Sequence, residues 1–319
     1  MTSRIVIAGA SGFIGQRLVE RYRERGWEVV TIGRTGPVRW GDTDAIRRAL
    51  DGAAVLVNLA GKSVNCRYSD ANRAEILRSR VETTRALAEA VHESASPPPL
   101  WINASTATIY RHAMDRPQTE SAGELGAGFS VGIARAWEDA LFTPDLPGTR
   151  RVALRMAIVL GDGSALEPLA ALTRLGAGGA QHDGRWFPSR RRREVGTEHQ
   201  QRSRRGQQRF SWVHLDDVVR IVEWLETRPD VEGPLNAAAP NPETNAELMA
   251  HLRRILNRPI GLTMPRWMLE LGSVAIRTET ELVLKSRWVV PERLEAAGFR
   301  FAHPHLDEAL RSILAPTST

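Results

Sequence analysis

Gly9, Gly12 and Gly15, in "IVIAGASGFIG", have the types and spacing of a phosphate-binding turn. The apolar run Arg4-Ile5-Val6-Ile7-Ala8 precedes them, and Phe13, Ile14, Leu18 and Val19 follow at helical spacing. Between a strand and a helix, glycine permits the tight turn and lets the backbone approach a pyrophosphate. The helix start then offers unpaired N–H groups and the positive end of the helix dipole. This is the chemistry of dinucleotide binding. A second position selects the dinucleotide. NAD-binding folds carry an acid about 20 residues on, to hold the ribose 2′-OH, whereas an arginine there accommodates a 2′-phosphate. In "WEVVTIGRTG" Gly33-Arg34 occupies that place and 33–36 hold no acid, so the pattern predicts NADP(H). Leu59-Ala60-Gly61 ends a third apolar run, at the sheet edge across which such a cofactor lies.

The elements that must position these residues are read from periodicity. Apolar runs at 4–8, 27–33, 53–59, 99–105 and 151–157 alternate with helical patterns near 13–25, 43–50, 70–93 and 129–142. Within 70–93, Leu77, Val81, Thr84, Leu87 and Val91 fall at steps of three and four, which predicts the buried face. Pro97-Pro98-Pro99 stops that helix. Continuous apolar strands alternating with helices predict an α/β fold, a doubly wound parallel sheet of Rossmann type covered on both faces.

Beyond residue 160 the pattern loosens, and 176–209 reads as a long loop in which the like-charged run Arg190–Arg193 is solvated. Order returns at "RFSWVHLDDVVRIVEWLE" (209–226), a strand turning into a helix, with "PLNAAAP" (234–240) as a last strand. Thr244-Asn245-Ala246-Glu247 is a capping box opening a helix at 245–257. The tail, 265–319, reads as helical, with Trp267, Met268, Leu271, Trp288, Val289 and Leu294 as core. The expected organisation is a Rossmann domain at 1–164 plus 209–240, a basic loop or lid at 165–208, and a small, mostly helical C-terminal substrate domain at 241–319.

Charge and cysteine content narrow the partners. The net charge is +6 (43 basic, 37 acidic), yet residues 181–209 alone carry nine Arg and three acids, also +6. The remaining chain is neutral, so the basicity belongs to one segment and argues against nucleic acid as the partner of the fold. That segment does hold Trp186 and Phe187, residue types that stack on bases. The single cysteine, Cys66, excludes an internal disulfide and reads as a partly buried free thiol in a reducing compartment. A strand at the very start leaves no room for a signal peptide, and no apolar run approaches a membrane span. A cytoplasmic protein with a small-molecule substrate and no membrane partner is expected.

The glycine spacing resembles that of the extended short-chain dehydrogenase/reductases. "VLVNLAGKSV" (55–64), "EILRSRVETTRAL" (75–87), "INASTATIY" (102–110), "ARAWEDA" (134–140), "LRMAIVLG" (154–161), "FSWVHLDDVV" (210–219), "GPLNAAAPNPETNAEL" (233–248) and "VVPERLEAAGFRF" (289–301) follow in order. Together they resemble the YfcH-like, nucleoside-diphosphate-sugar-epimerase-like group, which also carries the label "cell division inhibitor SulA". The resemblance covers nearly the whole chain. It implies cofactor contacts at Gly9, Gly12, Phe13, Ile14, Gly15, Gly33, Arg34, Leu59, Ala60, Glu75, Arg80 and Val159. Glu75 and Arg80 rest on the resemblance alone; by pattern they belong to a solvated helix face.

Members of that superfamily usually place a Ser or Thr after the fourth strand and Tyr-x-x-x-Lys on the next helix. The lysine lowers the tyrosine's pKa, and the tyrosine exchanges a proton while hydride moves to or from the nicotinamide. Extended members add a glutamate four residues past the lysine. With Glu138 as that glutamate, "FSVGIARAWE" (129–138) puts Ala134 at the lysine position and Ser130 at the tyrosine position. Neither side chain performs that chemistry. Ser105 and Thr106, at the Ser/Thr position, and Tyr110 beyond them are the candidates to replace the pair; the plainer alternatives are hydroxyls serving loop backbone and a packed aromatic. Arg135 and Arg155 are candidates to hold an anionic substrate. His214, Asp216 and Asp217 read as structural, with Asp216 or Asp217 capping a helix, and His303 and His305 match no metal spacing. Three readings stand: an NADP(H)-dependent oxidoreductase or epimerase-like enzyme, a regulatory NADP(H)-binding protein linked to cell division, and a nucleic-acid binder acting through 181–209.

Overall fold

Strand β1 (Arg4–Ala8) enters the glycine turn and leaves it as helix α1 (Phe13–Glu24). There follow β2 (Glu28–Gly33), β3 (Val38–Arg39), α2 (Thr43–Leu50), β4 (Val55–Asn58), α3 (Asp70–His92), β5 (Leu100–Thr106), α4 (Phe129–Phe142) and β6 (Arg150–Met156). The second half holds β7 (Ile158–Leu160), α5 (Leu166–Arg174), α6 (Arg190–Glu194), β8 (Arg209–Phe210), β9 (Trp212–His214), α7 (Leu215–Glu226), β10 (Gly233–Ala237) and β11 (Glu243–Thr244). The chain ends with α8 (Asn245–Ile255), α9 (Arg266–Ala275), α10 (Glu281–Leu284), α11 (Glu292–Ala296) and α12 (Leu306–Leu314). This computed structural model describes residues 2–163, 166–184, 186–187, 189–199, 203–275 and 279–314.

Seven strands form one parallel sheet in the order β10-β6-β5-β4-β1-β2-β3. From β1 the chain winds outward to β2 and β3, then crosses to β4 on the other side of β1. The C-terminal edge of β1 is therefore a topological switch point, where a crevice opens in doubly wound sheets. Successive strand residues face opposite sides. Ile5, Ile7, Val55, Val57, Ile102 and Val152 pack on α1 and α7 through Leu18, Tyr22, Val218 and Ile221. Val6, Leu56 and Trp101 pack on α2 and α3 through Ile46, Leu50, Leu87 and Val91. Burial on both faces is why the strands read as unbroken apolar runs rather than alternating ones. A smaller core joins α8 and α12 through Leu248, Met249, Leu252, Leu306 and Leu310.

Several expectations need correction. Thr84, Leu87 and Val91 of α3 are buried as expected, but Leu77 is exposed and Ile76 is buried in its place. The first turns of α3 face the loop after β4, not the sheet: Ser79 accepts the Lys62 amide and Arg80 donates to the Lys62 carbonyl. On α9, Trp267 and Leu271 are exposed, against the expectation of core positions, while Arg266, Glu270 and Ser273 are buried. The helix turns its polar side inward because Arg266 meets Asp183 and Glu270 there, each at 2.7 Å.

Asp183 belongs to the 176–209 segment, which is not a uniform loop. It contains α6, capped by Ser189. Its arginines are not simply solvated: Arg190 pairs with Glu194, Arg191 with Asp70, and Arg192 with Glu270 and Glu279. Acids from other elements offset the repulsion that the run alone implies. Parts of the basic segment (185, 188 and 200–202) lie outside the described residues. Among the described residues no helix is long and apolar enough to cross a membrane.

Candidate functional site

At the switch point the glycines are enforced by space. Gly9 has φ +81°, and a Cβ on it would stand 2.8 Å from the Ala60 nitrogen and the Leu59 carbonyl carbon. A Cβ on Gly15 would stand 2.5 Å from the Gly9 carbonyl oxygen. Gly12 caps α1 without any side-chain hydrogen bond, so no side chain occupies the amides of the first turn. Phe13 reaches across to Gly161, where an added Cβ would meet its ring at 2.8 Å, and Ile14 packs on the sheet core. Behind the loop after β4, Asn58 fixes the backbone. Its Oδ1 accepts the Ala60 amide at 3.0 Å, and its Nδ2 donates to Asn103 Oδ1 at 2.7 Å.

Gly33 ends β2, and Arg34 beyond it is exposed, with no ion-pair partner among the described residues. Arg80 sits behind Gly61, donating to the carbonyls of Lys62 and Ile76, with its guanidinium over Trp137. Burial lowers its pKa to about 10. Glu75 stands on the outer side of α3 and pairs with Arg78 at 2.6 Å. Val159 lies in β7, paired with Val213 of β9.

Around the end of β5 a buried chain of hydrogen bonds crosses four elements. Ser105 Oγ donates to Glu138 Oε1 at 2.6 Å. Arg155 grips the same carboxylate through Nε at 2.8 Å and Nη2 at 2.7 Å, and its Nη1 donates to the Tyr110 hydroxyl at 2.9 Å. That hydroxyl donates to Asn236 Oδ1 at 2.9 Å. Burial alone would lower the Arg155 pKa; the Glu138 carboxylate overrides it and holds the guanidinium above its ordinary value. Burial pushes the Tyr110 phenol up, against the pull of Arg155.

Arg155, expected to hold substrate, has each of its three guanidinium nitrogens bonded to Glu138 or Tyr110. Tyr110 is only 2% exposed, so it is a packed aromatic rather than a side chain at an open loop. Thr106 Oγ1 accepts the Thr108 amide and opens a short 3-10 turn. Arg135 lies on the exposed side of α4. Ala134 is fully buried, and Ser130 Oγ donates to Glu281 Oε2 at 3.0 Å.

Beside Ser130 lies a cavity of about 200 Å3, with Arg111, His112, His199, Glu281 and Lys285 on its walls. Sequence reasoning missed these residues. Lys285 Nζ donates to the Thr108 carbonyl at 2.8 Å. Burial pushes its pKa down to about 8, and Arg287 adds to the effect. His112 Nδ1 accepts the Ser286 amide at 3.0 Å; burial, then Lys285, push this imidazole down to about 4. Tyr68 lies close to Glu281 and Ser130, its phenol pushed up to about 12 mainly by burial. The one available signal was compositional: Lys285 is one of only two lysines, set in the apolar stretch "ELVLKSRWVV".

The "HLDD" stretch caps and fastens α7 by a different route from the one expected. His214, not an aspartate, caps α7, its Nδ1 accepting the Asp216 amide at 3.1 Å. Asp217 is fully buried and accepts the amides of Ala302 and His303 at 2.7 and 2.9 Å, fastening the C-terminal segment to α7. The His214 and His303 rings stack with centroids 3.8 Å apart.

Residues 5–128 match the NAD dependent epimerase/dehydratase family, and residues 264–313 match a domain of unknown function, DUF1731. The chain is 31% identical over 318 residues to the epimerase family protein SDR39U1 of Bos taurus, covering 98% of this chain and 100% of that one. To its Mus musculus counterpart it is 30% identical over 320 residues, with the same coverage. The chain belongs to the NAD dependent epimerase/dehydratase family. The crystal structure of human epimerase family protein SDR39U1 (isoform 2) with NADPH matches this epimerase-family chain with a TM-score of 0.80, at 28% identity, over 97% of this chain and 98% of that one. The family has an NAD(P)-binding Rossmann fold, and the local structure fits such a cofactor. The cradle at Gly9 and Gly15 is one that a Cβ would fill, and it opens at a helix start without a side-chain cap.

Proposed function

We propose that this epimerase-family chain is an NADP(H)-dependent oxidoreductase or epimerase-like enzyme whose small-molecule substrate enters the cavity beside Ser130. The observation that carries this reading is the glycine cradle against Leu59 and Ala60, with an exposed, unpaired Arg34 just past the end of β2. The first-turn amides of α1 would hold the pyrophosphate, and Arg34 beside Gly33 the 2′-phosphate. Phe13, Ile14, Leu59, Ala60, Gly61 and Val159 would line the walls, with Arg80 fixing the loop behind Gly61. The human relative's structure with NADPH supports the choice of cofactor.

Bound there, NADP(H) supplies hydride chemistry. Ser105 and Thr106, at the end of β5, would face the substrate, and the Glu138–Arg155–Tyr110 chain would hold Ser105 in one orientation. Arg135 remains the exposed cation of α4 for an anionic substrate group. The 181–209 segment contributes Gly196, Glu198 and His199 to the cavity wall, which favours a pocket role for it over nucleic-acid binding.

A second reading, an NADP(H)-binding regulatory protein, is favoured by one observation: Ser130 and Ala134 stand where the proton-exchanging pair is expected. Purified protein, supplied with NADPH or NADP+ and a panel of carbonyl, alcohol and nucleotide-sugar compounds, separates the two. Change in NADPH absorbance with any member supports the enzyme. Tight cofactor binding with no turnover across the panel supports the regulatory protein.

A further inference from the structure

Lys285 is a buried cation with no ion-pair partner among the described residues, and Glu281 favours its charge only from beyond ion-pair distance. It is 5% exposed, lies on the wall of the cavity beside Ser130, and spends one donor on the Thr108 carbonyl. Among the described residues no carboxylate stands within ion-pair distance of its nitrogen. Thr108 follows the end of β5 by two residues, so the ammonium is bonded to the turn that leaves the strand carrying Ser105 and Thr106. Ser130, at the position of the absent tyrosine, donates to Glu281, which lies on the cavity wall.

We propose that Lys285 is the general acid and base of this site, giving a proton to the oxygen of a substrate carbonyl in the cavity and recovering it from the alcohol in the reverse direction. The proposal rests on the oxidoreductase reading above. In the reductive direction the carbonyl carbon accepts a hydride, with its two electrons, from the reduced nicotinamide, and the carbon–oxygen π bond opens. The oxygen takes the Lys285 proton; the nicotinamide is left oxidised and the lysine neutral. Water then reprotonates the amine.

The charged and titratable groups facing the amine support the assignment. Burial and Arg287 lower its pKa to about 8, which suits proton exchange near neutral pH. His112 is held neutral, Arg111 is paired with Asp115 and Glu124, and Glu198, His199 and Glu281 complete the surroundings. Tyr68, pushed up by burial, is a weaker acid than Lys285.

Two readouts test this. Trace acetylation across pH, followed by peptide mass spectrometry, titrates both lysines of the intact chain without any substrate. Lys285 is expected to titrate near 8, well below the ordinary lysine value of about 10.4; a Lys285 amine that titrates at that ordinary value overturns the proposal. The second readout is NADPH-dependent reduction of 4-nitrobenzaldehyde and a panel of small ketones. Lys285→Met and Lys285→Arg should each lose on the order of 100-fold in rate with NADPH affinity unchanged, since a guanidinium keeps its proton. The wild-type rate should fall as pH rises through 8. Variants that reduce the probes at the wild-type rate overturn the proposal while leaving the oxidoreductase reading intact. Wild-type protein that binds NADPH and reduces none of the probes overturns the oxidoreductase reading, and the role of Lys285 with it.

Discussion

Arg155 holds Glu138 through two hydrogen bonds, of 2.8 and 2.7 Å, with both side chains about nine-tenths buried. The pair ties β6 to α4 directly beneath Ser105, so two residues of catalytic type act as the frame of the site. Breaking one member strands the other's charge in the interior. Glu138→Gln should therefore cost about 3–5 kcal/mol of unfolding free energy in urea titrations. Replacing both together, as Glu138→Leu with Arg155→Met, should recover much of that loss.

Tyr110 hangs from the same pair. Tyr110→Phe removes a hydroxyl that both donates to Asn236 and accepts from Arg155. A loss of about 1–3 kcal/mol in stability is expected, with NADPH affinity unchanged by fluorescence titration. Unchanged stability would mean that the hydroxyl is not part of the frame.

The glycines separate by position. Gly15→Ala drives a methyl onto the Gly9 carbonyl, and Gly9→Ala forces a positive φ as well as a clash. Each should weaken NADPH binding by at least about 100-fold, because the backbone must leave its close approach to the pyrophosphate. Gly132→Ala, on the exposed side of α4, meets nothing within 4 Å. It should keep the affinity and gain about 0.5–1 kcal/mol, since glycine is costly inside a helix. Thermal unfolding and cofactor titration of the three variants check both statements.

The sheet was legible because its signals are local. A strand buried on both faces leaves an apolar run, and the turn at Gly9–Gly15 leaves its glycines. Arg34 was legible for the same reason, lying at a fixed step past a strand. The cavity was not. Thr108 and Lys285, like Ser130 and Glu281, are separated by long stretches of chain and meet only when α10 and its flanking segment fold back on α4 and the 3-10 turn after β5. Helix α9 misled because its amphipathic pattern is inverted: Arg266 and Glu270 are buried with Asp183, an acid from the segment that read as a loop.

Acid should destabilise the fold through its imidazoles. His112 has its folded pKa lowered from 6.5 to about 4 by burial and Lys285, and His214 is lowered as well, by burial and His303. A histidine kept neutral by folding contributes fully above its unfolded pKa. That contribution is lost as the pH falls from about 6.5 toward 4, because the unfolded chain binds the proton first. Urea midpoints should fall across that window. His112→Asn, which keeps an acceptor for the Ser286 amide, should flatten the fall, and an equally steep fall in that variant would remove His112 as its source.

The central claim is an NADP(H) site built on the glycine cradle and Arg34, and the comparison of NADPH with NADH tests it most directly. Fluorescence titration of the wild-type chain should give a Kd for NADPH at least about 10-fold below that for NADH, the scale of a charge-assisted contact to the 2′-phosphate. Arg34→Ser should erase that difference by weakening NADPH alone. Equal or tighter binding of NADH by the wild-type chain would contradict the account.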